Sequence, residues 1–117
     1  MKPALLDTNF ILTCIKQKID LFEELKFMGL KVLIPMQVIK ELKNLKIKEA
    51  EFALKLSEKN KDEFEEIDIG KGNVDKRIKL FADKNLEILV ATLDKELQKK
   101  LKNKKIVIRG KKKLEII

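Results

Sequence analysis

The stretch Ala4-Leu5-Leu6-Asp7-Thr8-Asn9-Phe10-Ile11-Leu12 decides how this chain is read. Three apolar residues run into Asp-Thr-Asn, and apolar residues resume at once. Ala4–Leu6 has the length and character of a short buried strand, and Asn9–Ile15 the spacing of a helix. Asp7 therefore stands at the carboxyl end of the first strand. Such an Asp caps the helix that follows it, or it forms one corner of a site whose other corners come from distant parts of the chain.

The remaining elements follow from the same signals. A polar turn at Lys16-Gln17-Lys18 leads to Asp20, which opens a second helix, with Glu23 three residues on in a capping-box-like pattern. That helix turns Leu21, Phe22 and Leu25 inward and stops near Gly29. Val32–Ile34 is a β-branched-rich strand closed by Pro35. Met36–Leu42 suits a helix, as does Ile47–Lys59. Phe64–Ile69 alternates apolar and acidic residues, so a strand with one exposed face is expected. Gly70–Asn73 is a loop, and Val74–Asn85 is helical. Ile88–Ala91 is a buried strand, Asp94–Lys102 a helix, Ile106–Ile108 another strand, and Leu114–Ile117 a short final one. Strand and helix alternate throughout, which predicts an α/β fold with a mainly parallel sheet in one domain spanning residues 1–117.

Composition narrows the chemistry. The chain has no His and one cysteine, Cys14, set among apolar neighbours. Serine or cysteine triads with His, His-ligated metals and structural zinc are excluded. No nucleotide-binding Gly motif occurs, because Gly70-Lys71-Gly72 is too short. Carboxylates and amines remain, and these favour hard oxygen-ligated cations such as Mg²⁺ or Mn²⁺. With 27 basic and 19 acidic residues the net charge is +8, a field that favours polyanions. Arg77 and Arg109 are the arginines; every other basic side chain is a lysine, suited to point-charge contacts with phosphate rather than base readout. The lysine runs around Lys99–Lys105 and Lys111–Lys113 read as solvated helix ends or tails. No apolar run reaches membrane-spanning length and no signal-peptide pattern opens the chain, so a cytoplasmic location is expected.

Open parallel sheets build sites outside the carboxyl ends of their strands. Four of the 19 acidic residues pass that filter. Asp7 follows the first strand, and Asp94 follows Ile88–Ala91 after Thr92 and Leu93. Asp75 lies in the first turn of the helix after the Gly-rich loop, and Glu41 in the helix after the second strand. Each has an ordinary role open to it: Asp7 and Asp94 as N-caps, Asp75 as a complement to a helix dipole, Glu41 as an exposed helical residue. Glu41 has no basic partner three or four residues away. If the four converge, they repel one another unless a divalent cation neutralises them.

In this order the motifs resemble a PIN domain, a metal-dependent ribonuclease family. Leu6-Asp7-Thr8-Asn9 is similar to the family's first motif. Val38-Ile39-Lys40-Glu41-Leu42 resembles the second, Asp75-Lys76-Arg77-Ile78 with Ala82 the third, and Val90–Leu97, including Thr92 and Asp94, the fourth. Val107-Ile108-Arg109-Gly110 fits the last strand of such proteins. The resemblance implies a three-layer α/β/α fold with a mainly parallel sheet. It implies hydrolysis of RNA by Asp7, Glu41, Asp75 and Asp94 holding Mg²⁺ or Mn²⁺, with Thr8, Asn9 and Thr92 supporting the carboxylates. Lys76, Arg77 and Lys95, adjacent to the acids, are candidate phosphate contacts. Beyond RNA, the family implies a homodimer as one partner arrangement. It also implies an antitoxin if the chain is a toxin, or a ribosome-assembly partner if it processes ribosomal RNA. One departure stands out: relatives often carry a second acid where this chain has Lys76. That motivates the alternative of a PIN-scaffold module that binds RNA or protein with little catalysis. A phosphoryl-accepting receiver-type domain is a third reading, weakened by the single acid after the first strand.

Overall fold

A computed structural model describes residues 1–117. Six strands form one sheet in the order β3-β2-β1-β4-β5-β6. The strands are β1 (Lys2–Leu6), β2 (Leu30–Pro35), β3 (Phe64–Ile67), β4 (Leu89–Ala91), β5 (Lys105–Arg109) and β6 (Lys113–Ile116). The first five run parallel, and β6 returns antiparallel along β5. The helices are α1 (Thr8–Lys16), α2 (Leu21–Phe27), α3 (Met36–Asn44), α4 (Lys48–Lys59), α5 (Val74–Lys84) and α6 (Lys95–Lys100).

Side-chain alternation along the strands explains the three layers. On β1, Ala4 and Leu6 point to one face and Leu5 to the other; on β2, Val32 and Ile34 oppose Leu33; on β4, Leu89 and Ala91 oppose Val90. The first face packs against Phe10, Ile11 and Cys14 of α1, Leu21 and Phe22 of α2, Val38 and Leu42 of α3, and Ala50 and Ala53 of α4. The second, smaller core takes Ile78 and Ala82 of α5 and Leu97 of α6. The sheet is thus covered on both sides, as a parallel sheet requires, and the expected α/β/α arrangement is present.

The strand order also separates two readings that the sequence left open. Receiver-type domains wind their strands 2-1-3-4-5, whereas this sheet has the 3-2-1-4-5-6 order. The order of winding reverses between the parallel strands β1 and β4, so the switch-point crevice lies at their carboxyl ends. Local differences from the sequence expectation have plain causes. Strand β3 stops at Ile67 rather than Ile69 because its partner β2 ends at Pro35, opposite Ile67, and the Asp68 carboxylate turns to the loop and to α3. It accepts hydrogen bonds from the Gly70 N–H (2.8 Å) and from Gln37 Nε2 (2.7 Å). Helix α6 ends at Lys100, where buried Leu101 turns extended. A 3₁₀ turn over Lys61–Glu63 was not expected from the sequence. No helix is long and apolar enough to cross a membrane.

Candidate functional site

The register of β1 against β4 places the first pair of site residues. Leu6 lies opposite Ala91, and the Asp7 N–H donates to the Ala91 carbonyl at 3.1 Å. Asp7 and Thr92 therefore leave their strands side by side, though 85 residues apart in sequence. The Thr92 hydroxyl donates to Asp7 Oδ2 at 3.0 Å, and the Thr8 N–H donates to Oδ1 at 2.7 Å. Asp7 is 5% exposed and Thr92 fully buried. Burial pushes the Asp7 carboxyl up from 3.8 to about 6; the neighbouring Asp75 and Glu41 charges add to the rise, and the two hydrogen bonds oppose it.

Glu41 reaches the same crevice from α3. That helix follows directly on Pro35, the last residue of β2 and its N-cap, and buries Val38 and Leu42. Glu41, three residues after Val38, emerges at the edge of this buried stripe. Its Oε1 accepts a hydrogen bond from the Thr8 hydroxyl. Asp7, Thr8, Asn9, Glu41, Asn73 and Asp75 line a cavity of about 280 Å³.

Asp75 sits in the first turn of α5, whose N-cap is Asn73, accepting from the Lys76 N–H at 3.1 Å. Burial raises the Asp75 carboxyl above its ordinary range, and the Asp94 and Glu41 charges and a hydrogen bond with the Asp94 side chain push the same way. Two hydrogen-bonded carboxyl groups share a proton or need a cation between them. Asp94 caps α6, its Oδ1 accepting from the N–H groups of Glu96 (2.9 Å) and Leu97 (3.2 Å). Its own N–H donates to the Thr92 hydroxyl oxygen at 3.2 Å. Thr92 thus links the two acids, and Gln98 Nε2 donates to its carbonyl at 2.7 Å.

The fold accordingly makes N-caps of Asp7 and Asp94 and also brings them towards Asp75 and Glu41. Capping accounts for one oxygen of each Asp. It does not account for the mutual approach of acids that belong to four different elements.

The donor chemistry fits a hard divalent cation. None of the chain's five ion pairs involves Asp7, Glu41, Asp75 or Asp94, so no lysine or arginine neutralises them. No three of the acids are close enough to share one ion as they stand.

The other residues singled out from the sequence take different places. Asn9 is exposed at the rim of the acidic cavity. Lys76 is exposed beside Asp75, and Lys95 is the exposed first residue of α6. Arg77 turns away from solvent: its Nε donates to the Ile69 carbonyl at 3.0 Å, and its guanidinium lies against Gly70. Asn73 and Gln98 also support the site without belonging to any of the four motifs, and only Asn73 carries a local signal, as an Asn directly before an apolar-periodic segment.

Comparison with known proteins bears on the family and the fold. A family model described as a PIN-like domain matches residues 4–112. Among solved structures, the PIN domain endonuclease Utp24 is similar, with a TM-score of 0.84 and 28% sequence identity over 97% of this chain and 90% of that one. A search of curated proteins finds no match. With the family match covering most of its length, and a fold shared with a PIN endonuclease, the chain belongs to the PIN-like domain family.

Proposed function

We propose that this protein is a divalent-metal-dependent endoribonuclease acting through Asp7, Glu41, Asp75 and Asp94. The observation that carries the reading is the approach of these acids, without cationic partners, at the switch point of the sheet. Similarity to an endonuclease of the same fold supports it.

The carboxylates would hold Mg²⁺ or Mn²⁺, which when bound supplies a nucleophilic water at neutral pH and offsets charge at the scissile phosphate. The chain's own contribution is orientation. Thr92 and the Thr8 N–H fix both oxygens of Asp7, and the Thr8 hydroxyl fixes Glu41. Asp94 keeps Oδ1 on the α6 backbone and would leave its other oxygen for a cation. Burial around Asp7 and Thr92 lowers the local dielectric, so each of these contacts acts more strongly than it would in water. The role is RNA processing or turnover, or that of a toxin-like nuclease.

Cleavage of a panel of single-stranded RNAs with added Mn²⁺ tests the proposal. The wild-type protein is expected to cut, and Asp7→Asn to lose at least a hundredfold in rate, about 2.7 kcal/mol of barrier. Equal residual cleavage by both proteins would refute it. Lys76, exposed where many relatives carry an acid, favours a second reading as a binding module. Calorimetric Mn²⁺ titration separates the two: RNA binding without any metal binding selects the module.

A further inference from the structure

A groove of about 760 Å³, larger than the acidic cavity, lies beside it. Helix α3 forms one wall and the loop from Asp68 to Gly72 the other. The groove and the acidic cavity share Glu41 and Val74, so the two are continuous. Helix α3 presents Met36, Lys40 and Lys43 to this groove at helical spacing, with Gln37, Glu41 and Asn44 beside them. Lys71 faces them from the loop.

We infer that this groove is the track for the RNA strand flanking the scissile bond, with Lys40, Lys43 and Lys71 contacting its phosphates. The inference rests on the reading of the acid site as an RNA-cleaving centre and names the side from which the strand reaches it. All three lysines are exposed, and none takes part in an ion pair. A polyanion could not approach the acids unaided, because they would repel it; unpaired ammonium groups on the adjoining groove supply the attraction. Three carboxylates also border the groove. Glu41 belongs to the acid site. Asp68 is engaged by the Gly70 N–H and by Gln37, with the Arg77 and Lys71 charges nearby. Glu66 stands on the edge strand β3.

The loop wall is built to hold its shape. Gln37 bridges it to α3, donating to Asp68 and accepting from the Ile69 N–H at 3.3 Å. Arg77 secures it from behind through the Ile69 carbonyl. Arg77 is thereby a positioning residue for the groove rather than a phosphate contact, while Lys40, beside Glu41 in the second motif, and Lys43, one turn on, take that role. No Phe lines the groove. Recognition is therefore of the sugar-phosphate backbone of single-stranded RNA, tolerant of sequence, without the base-stacking platform that aromatic side chains provide.

The test measures anisotropy of a labelled short oligouridine in EDTA, where binding occurs without cleavage, between about 50 and 200 mM salt. A triple variant, Lys40→Gln, Lys43→Gln and Lys71→Gln, is compared with Lys99→Gln, Lys100→Gln and Lys102→Gln, which removes the same charge from the α6 end. The groove triple is expected to weaken binding by roughly tenfold or more and to flatten the salt slope by about 2, at about 0.7 per lost phosphate contact on a single strand. The α6 triple is expected to change affinity less than about threefold. Equal weakening by both triples, wild-type binding by the groove triple, or no RNA binding by the wild type would overturn the inference. Parallel Mn²⁺ cleavage by wild type and Asp7→Asn keeps the two readings apart. Cleavage that depends on Asp7 but ignores the groove triple removes the groove alone. A groove-specific binding loss with no Asp7-dependent cleavage removes the nuclease alone.

Discussion

Replacing Asp7 by Asn should stabilise the metal-free protein at neutral pH while abolishing its response to metal. The carboxyl is 5% exposed, and its rise from 3.8 to about 6 comes first from burial. That rise corresponds to about 3 kcal/mol of unfavourable free energy for the ionised group in the folded chain. Because the folded value lies above the unfolded one, the protonated side chain favours folding. The contribution is complete below pH 3.8 and is lost as pH climbs through about 6. Asn is neutral throughout and escapes the penalty. It keeps one acceptor oxygen for two donors, Thr92 and the Thr8 N–H, which returns about 1 kcal/mol. The expected net gain is about 2 kcal/mol at pH 7.5 in EDTA, shrinking to zero or below near pH 4. Urea unfolding of both proteins across that range reads the difference directly. Added Mn²⁺ should reverse the order: at a hundredfold excess over Kd the wild type gains about 2.7 kcal/mol, and Asp7→Asn little or nothing. A pH-independent difference, or an Asn variant less stable at pH 7.5 in EDTA, would refute the reasoning that Asp7 is a desolvated charge awaiting a cation.

Thr92→Val preserves shape but removes the hydroxyl that donates to Asp7 and accepts from the Asp94 N–H. It should cost about 1–3 kcal/mol in urea unfolding, move the Asp7 titration upward, and lower Mn²⁺-dependent cleavage by at least about tenfold. Gly70→Ala should destabilise more than Gly29→Ala, although both glycines have positive φ (+98° and +74°). A Cβ at Gly29 meets nothing within 4 Å, whereas at Gly70 it would lie 2.2 Å from the Arg77 guanidinium. Backbone strain of roughly 1–2 kcal/mol is common to both, and displacement of Arg77 adds to it only at Gly70. Equal losses in paired denaturation curves would show that Arg77 yields freely.

The element pattern was legible because each element satisfies a local rule. Ala4–Leu6 and Ile88–Ala91 are short apolar runs, Asp20 and Asp94 precede helical periodicity, and Gly29 closes a helix with the positive φ that Gly tolerates. The alternation of Phe64–Ile69 continues through Asp68, but β3 ends at Ile67 because its partner β2 gives way to α3 after Pro35, and no local pattern shows where a neighbouring strand ends. The acids at strand ends were identifiable by position alone.

The sequence by itself determined the α/β class, the acids and the order in which they occur, since periodicity, caps and strand ends are properties of neighbouring residues. The tertiary structure decided the rest. The parallel register Leu6↔Ala91 put Thr92 on Asp7, the packing of α1 against α3 put the Thr8 hydroxyl on Glu41, and the loop after β3 turned Arg77 inward and left Lys40, Lys43 and Lys71 around the groove. Such contacts join residues tens of positions apart, and no local rule encodes them. They follow from which strands pair, in which register, and which helix faces the resulting cores bury.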